Sequence, residues 1–295
     1  MSAVLSSPQA PARPAPAGFL RRLFRDKPLG AAGGVIFVLF LLCGIFADVI
    51  APHGMNDISP LSRLKPPSLE HPFGTDNLGR DMLSRCLYGA QLSVIIGLSA
   101  AALATVISVV IGIVTGYLGG KVDMVAQRFV DAWMSFPDLI ILIVIVSVLG
   151  PGMPQIIGTL GMLLGIAGSR IIRSAVVSVR ENMYVHAAQS TGARTLRILW
   201  KHILPNVLPP IIVLFTTRVG TVILAESGLS FLGLGVPPPA PTWGGMLSGS
   251  GRTFMFQGPW LALAPGLCLT VVVYATNVFG DALRDLLDPR MRGSR

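Results

Sequence analysis

Residues 92–118 read LSVIIGLSAAALATVISVVIGIVTGYL and lie inside a longer uncharged stretch, Cys86–Gly120. The hydrocarbon core of a bilayer, about 30 Å thick, takes roughly 20 residues of helix. A 27-residue run without a single charge exceeds that need, and a helix apolar on every side belongs in a membrane or deep inside a large protein. The composition decides between the two. Charged residues make up only 13% of the chain and apolar ones 52%, whereas a soluble domain carries about a quarter charged residues. So few charges cannot clothe a globular surface, so the chain is read as an all-α integral membrane protein.

Five further segments complete the reading: Leu29–Ile50, Val125–Leu149, Gln155–Val176, Val207–Leu229 and Leu261–Leu283. The run Gly150-Pro151-Gly152-Met153-Pro154 separates the third span from the fourth, because no helix crosses it intact. Arg170 and Arg173, at the end of the fourth, are expected to snorkel toward the surface. The first segment follows Arg21, Arg22, Arg25 and Lys27 in the manner of a signal peptide. It is too long for one and no A-x-A site follows it, so an uncleaved first span is expected.

The formal charge of +9 raises nucleic-acid binding, which clusters basic residues with aromatics on one face. Here they sit between the apolar runs, as membrane topology requires, and nucleic acid is excluded as a partner. Of the 23 Lys and Arg residues, seventeen fall in segments on one side and five on the other, with Arg218 within the membrane. The positive-inside rule then places both termini in the cytosol. Cys43, Cys86 and Cys268 form no framework and are read as packing residues, without disulfide or zinc.

The long inner connection, 180–206, holds Tyr184-Val185-His186-Ala187-Ala188-Gln189-Ser190-Thr191-Gly192, a short helix closed by a glycine suited to the left-handed conformation. Leu196, Leu199, Trp200 and Ile203 then fall on one apolar stripe opposite Arg194, Arg197 and Lys201, and Pro205 is expected to stop that helix. A lipid-surface connector is the competing reading. The small residues Ala187 and Ala188 favour close approach by another protein.

On the outer side, Gly74 and Gly79 bracket an Asp76-Asn77 turn. Met82, Leu83, Cys86 and Leu87 are read as an amphipathic helix on the outer surface, with Asp81 and Arg85 paired across one turn. His71, Asp76 and Asp81 are assigned to turn-forming and docking, and no metal site is expected. Among the intramembrane charges, Asp131 is the expected partner of Arg218, while Glu226, about 80° round the helix from Arg218, is not. No zinc-protease or nucleophile-elbow motif occurs. The nearest approach to a phosphate loop, Gly119-Gly120-Lys121-Val122, lacks the leading Gly and the following Ser or Thr. No catalytic set is found, and the chain is expected not to be an enzyme.

Two of these stretches resemble one family. His186-Ala187-Ala188, Gly192 and Leu204-Pro205 resemble the "EAA" loop of ATP-binding-cassette importer permeases, with His186 where Glu is usual and His202 where Ile is usual. The stretch from His71 to Asp81, with Gly74, Thr75, Asp76, Gly79, Arg80 and Asp81, resembles the H-P-F-G-T-D-x-x-G-R-D motif of the dipeptide/oligopeptide/nickel branch. Phe136-Pro137, 224–235, 243–247 and 280–290 are similar to that branch too, so the resemblance runs from about 28 to 292.

The resemblance implies a type I importer permease fold with six transmembrane helices in a bacterial inner membrane. The chain is read in four parts: a tail (1–27) that is cytosolic and, being rich in Ala, Pro and Ser, disordered, a first span with an extracytoplasmic segment (28–91), a core permease domain (92–285) containing a coupling loop (180–206), and a C-terminal cytosolic tail (286–295). The implied partners are a second homologous permease, two cytosolic ATP-binding subunits and an extracytoplasmic solute-binding protein. No cofactor is expected on this chain, ATP and Mg belonging to the ATPases. Di- and oligopeptides, nickel chelates and glutathione all remain open as solutes. A secondary transporter would show the same spans and charge bias without needing a docking loop.

Overall fold

A computed structural model describes residues 19–287. The readings of a disordered tail over residues 1–18 and of a C-terminal tail from 288 onward lie outside the described residues. The helices, in chain order, are α1 (Phe19–Asp26), α2 (Pro28–Ile45), α3 (Ala47–Ile50), α4 (Met82–Leu118), α5 (Gly120–Met134), α6 (Asp138–Leu149) and α7 (Met153–Arg180). There follow α8 (Met183–Ser190), α9 (Thr195–Ile198), α10 (Leu204–Phe231), α11 (Trp243–Met246), α12 (Arg252–Phe254) and α13 (Trp260–Leu287). A single bridge between Thr75 and Asp81 is the only β pairing among the described residues.

Five helical stretches are long and apolar enough to cross a membrane: α2, α4, α7, the continuous run Thr195–Phe231, and α13. The sixth expected span is different. Instead of one helix over 125–149, α5 and α6 meet at a bend of 85°. Pro137 caps α6 in an extended conformation, and its ring disfavours helix in Phe136 before it, so α5 cannot run on unbroken into α6. Twelve residues of α6 reach only about 18 Å, short of a bilayer core, so the two pieces make a broken span.

The ion pairs explain why α5 tolerates its charges. Arg173 clamps Asp123 through two bonds of 2.5 Å, and Arg170 pairs with Asp131. Two expectations are corrected here. Asp131 belongs to Arg170 rather than Arg218, and the two arginines of α7, expected to reach toward the surface, are held by carboxylates on α5.

The bundle centre is the pairing of α4 with α7. Glycines permit it: a methyl at Gly112 would lie 2.7 Å from Ile172 Cβ, and one at Gly165 would lie 2.7 Å from Ile107 Cβ. Small residues let membrane helices approach closely enough to gain dispersion contacts. One core cluster joins Phe40, Met82, Val94, Val219, Trp243 and Leu261. A second joins Ile96, Leu142, Ile156 and Leu229. α1 corrects part of the tail reading, because Leu23 is buried against Ala31, Ala282 and Leu286. Apolar burial gives residues 19–26 a reason to fold.

Candidate functional site

Two regions at opposite ends of α4 carry the residues singled out in the sequence. At its start, the motif turn is closed by Gly74 and Gly79, both with positive φ (71° and 79°), a conformation that costs side-chain-bearing residues. Asp76 is fully buried. Its Oδ1 accepts from the amides of Leu78 (2.8 Å) and Arg80 (3.0 Å), and its Oδ2 accepts from Arg80 Nε (2.7 Å). The Thr75 amide donates to the Lys65 carbonyl, and the Thr75 carbonyl accepts from Trp260 Nε1 at 3.0 Å.

Asp81 is the N-cap of α4, its Oδ2 accepting from the Ser84 amide at 2.8 Å. An Asp in that place satisfies one of the helix's orphan amides. The expected Asp81–Arg85 pair is not formed. Arg85 instead lies 3.8 Å from Asp76 and donates to the Met55 carbonyl. Nor does a separate surface helix exist over 82–87. Nothing between Cys86 and Leu92 stops a helix, so Met82 and Cys86 are buried in the first turns of α4. The Cys86 thiol neighbours that of Cys268 on α13 within hydrogen-bonding reach, and both cysteines are free, a proximity that the sequence separation hides.

Asn77, Arg80 and Arg85 face Pro237, Pro238 and Phe254 across a cavity of about 530 Å³. The motif turn, assigned to the outer side by the charge bias alone, and the loop after α10, far apart in sequence, thus share one concave surface. Trp243 lies beneath it, donating from Nε1 to the Cys86 carbonyl at 3.1 Å.

At the other end of α4, α8 and α9 form a helix–turn–helix. Gly192 closes α8 with φ of 76°, as its position predicts. Arg180 donates to the Gly116 and Tyr117 carbonyls at the end of α4, tying this region to the bundle. The expected apolar stripe is only half buried, with Leu199 and Ile203 packed inward but not Leu196 and Trp200. Residues 199–203 form a π-helical turn, with the Leu204 amide bonded to the Leu199 carbonyl five residues back. The extra residue shifts the register, so Ile198, Ile203 and Val207 face inward with Val185, while Leu196 and Trp200 are 68% and 66% exposed.

The same turn spares the helix from Pro205. The chain continues into α10 instead of stopping, since a widened turn relieves the clash of a proline ring with the carbonyl behind it. His186 and Ala187 are exposed, Ala188 is half-buried, and His186 Nε2 stands 4.0 Å from Glu181.

The intramembrane charges separate as well. Arg218 is buried between α4, α7 and α10, donating to Ser108 Oγ at 3.0 Å and to the Leu164 carbonyl at 2.5 Å. No carboxylate pairs with it among the described residues. Glu226 does not meet it, as expected, and instead accepts from Ser230 Oγ at 2.6 Å.

A polytopic helical bundle with a broken span, a buried outer turn and an exposed helix–turn–helix at the opposite end is the architecture of a membrane transport subunit. Residues 108–293 match the model of the family described as binding-protein-dependent transport system inner membrane component, and residues 18–67 match the N-terminal TM domain of oligopeptide transport permease C. The chain belongs to the binding-protein-dependent transport permeases and is a multi-pass inner membrane protein.

It is 40% identical over 272 residues to the dipeptide transport system permease protein DppC of Alkalihalophilus pseudofirmus, covering 92% of this chain and 89% of that protein. It is 39% identical over 269 residues to the oligopeptide transport system permease protein OppC of Bacillus subtilis, covering 91% and 88%. A chain of the MetNI methionine ABC transporter shares the fold, with a TM-score of 0.58 at 16% identity over 70% of this chain and 98% of that one.

Proposed function

We propose that this chain forms half of the path by which an ATP-driven importer carries di- or oligopeptides inward, in a complex with a second, homologous permease. Both termini are cytosolic in this reading, which rests on the charge bias of the loops. Two cytosolic ATPases supply ATP and Mg, and this chain contributes no catalysis. They dock on the α8–α9 region, where His186, Ala187, Ala188, Gly192, Leu204 and Pro205 build the coupling loop. The solute-binding protein delivers its cargo at the outer concavity beside Asn77 and Arg80.

The observation that carries this reading is the exposure of Leu196 and Trp200 on a folded helix–turn–helix whose own apolar residues are already satisfied. Adjacent exposed apolar side chains on an ordered element mark a partner surface. The choice of peptides rests on the relatives named as dipeptide and oligopeptide permeases.

The test is uptake of a labelled dipeptide into proteoliposomes holding the complete complex and its binding protein. Uptake is expected to require enclosed ATP and to persist when a protonophore collapses the proton gradient. Uptake that needs the gradient and ignores ATP would make the protein a secondary transporter. Identifying what the co-purified binding protein carries checks the solute class separately.

A further inference from the structure

Three side chains in the segment between α3 and α4 converge in a way that turn formation does not use. His53 lies three residues past the end of α3, His71 opens the motif turn, and Asp81 caps α4. Their ligating atoms all fall within 4.8 Å of one another. His71 Nδ1 is 2.9 Å from Asp81 Oδ1, and His53 Nδ1 is 3.8 Å from Asp81 Oδ2. The two imidazole rings are 5.0 Å apart between centroids. We propose that His53, His71 and Asp81 bind a divalent late first-row transition-metal ion of the zinc class.

Geometry comes first. Ligands about 2.0–2.1 Å from a tetrahedral zinc stand roughly 3.3 Å from each other, and the 2.9 and 3.8 Å separations bracket that spacing. The two separations run to different oxygens of Asp81 and all three ligating atoms lie within 4.8 Å, so rotation of the His53 ring toward Asp81 closes the set around an ion.

The polar bookkeeping points the same way. His53 Nδ1 is shielded from solvent and has no hydrogen-bond partner, an arrangement that costs free energy when nothing fills it. His71 and Asp81 are 6% and 3% exposed, so the ion would be largely dehydrated. Two imidazoles and one carboxylate suit zinc or its neighbours rather than magnesium or calcium, which prefer oxygen ligands throughout. Three protein ligands leave a fourth position for water.

The supporting contacts are also present. Ser84 donates from its amide and its hydroxyl to Asp81 Oδ2, both at 2.8 Å, and its Oγ accepts the His53 amide at 3.1 Å. Second-shell bonds of this kind fix ligand orientation. On binding, His71 takes the tautomer with its proton on Nε2, so that the Nδ1 lone pair, now facing Asp81 Oδ1 across the ion, goes to the metal. Asp76, grouped with His71 and Asp81 in the sequence reading, is not part of the set, because its oxygens are committed to Arg80 and the turn amides. His53 takes its place in the proposed set, which departs from the expectation of a chain without metal. An ion here would staple the end of the first span to the motif and the start of α4.

The test uses the full-length, tag-free chain in lipid nanodiscs, equilibrated with buffered Zn²⁺ and counted by mass spectrometry, with zinc-edge X-ray absorption on the same sample. One Zn²⁺ per chain with histidine scattering is expected. His53→Ala, at a site whose side chain is 35% exposed, should keep the fold and the Asp81 cap while weakening binding by more than the roughly 10- to 100-fold that loss of an outer-shell partner costs. Unchanged affinity in H53A would overturn the proposal. So would the absence of saturable zinc, or sulfur scattering that places the ion at Cys86 and Cys268.

Discussion

The outer turn, 71–85, and the inner helix–turn–helix, 183–203, bear equally strong sequence motifs but use them in opposite ways. In the outer turn nearly every polar group is consumed internally. Asp76 binds the turn's own amides and Arg80, Asp81 caps α4, and Thr75 is tied to Lys65 and Trp260. In the inner region Val185, Ile198 and Ile203 anchor the element with Ala188, Ala193 and Leu199 packed against them, while Met183, Leu196 and Trp200 face away from the chain. The difference separates two causes of a recurring motif. One keeps its residues because the fold fails without them; the other presents residues the fold does not need.

That contrast breaks most visibly at Asp76. Asp76→Ala strands the Arg80 guanidinium and two turn amides in a buried setting, and removing one partner of a buried pair costs about 3–5 kcal/mol. Thermal unfolding of the purified chain should show that loss, and an unchanged midpoint would refute the scaffold role.

A smaller effect is expected at Gly79. A Cβ there would stand 1.9 Å from the Ser59 carbonyl oxygen, and the left-handed backbone alone costs roughly 1–2 kcal/mol. Gly79→Ala should therefore destabilise by at least that much in the same unfolding measurement.

The smallest stability effect belongs to the inner region. Leu196→Ala with Trp200→Ala should move stability by no more than about 0.5 kcal/mol, since neither side chain is buried. A large loss would mean that they pack within the chain after all, and the contrast would collapse.

Much of this organisation is legible in the sequence. The apolar runs locate α2, α7, α10, α13 and the C-terminal end of α4 to within about five residues, while α4 begins at Met82 rather than Leu92, because a span needs only length and hydropathy. Gly192 is legible because few residues tolerate its backbone conformation. The misses share a different physics. The break at Pro137 is written in the chain, yet hydropathy flows across it. The π turn at 199–203 displaces Leu196 and Trp200 from the buried side, and a 3.6-residue period cannot register an inserted residue. Asp131 finds Arg170 only once α5 folds back on α7, and His53 meets His71 only once the outer segment closes. Pairings of that kind depend on topology, which composition does not specify.

The central claim is that exposed side chains on α9 and the following turn transmit the work of the ATPases. ATP-driven dipeptide uptake by the reconstituted complex carrying Leu196→Ala and Trp200→Ala tests it most directly. Loss of an aromatic anchor from an interface centre should reduce uptake by about ten-fold or more while the subunit stays folded in the membrane. Uptake at the unaltered rate would contradict the account.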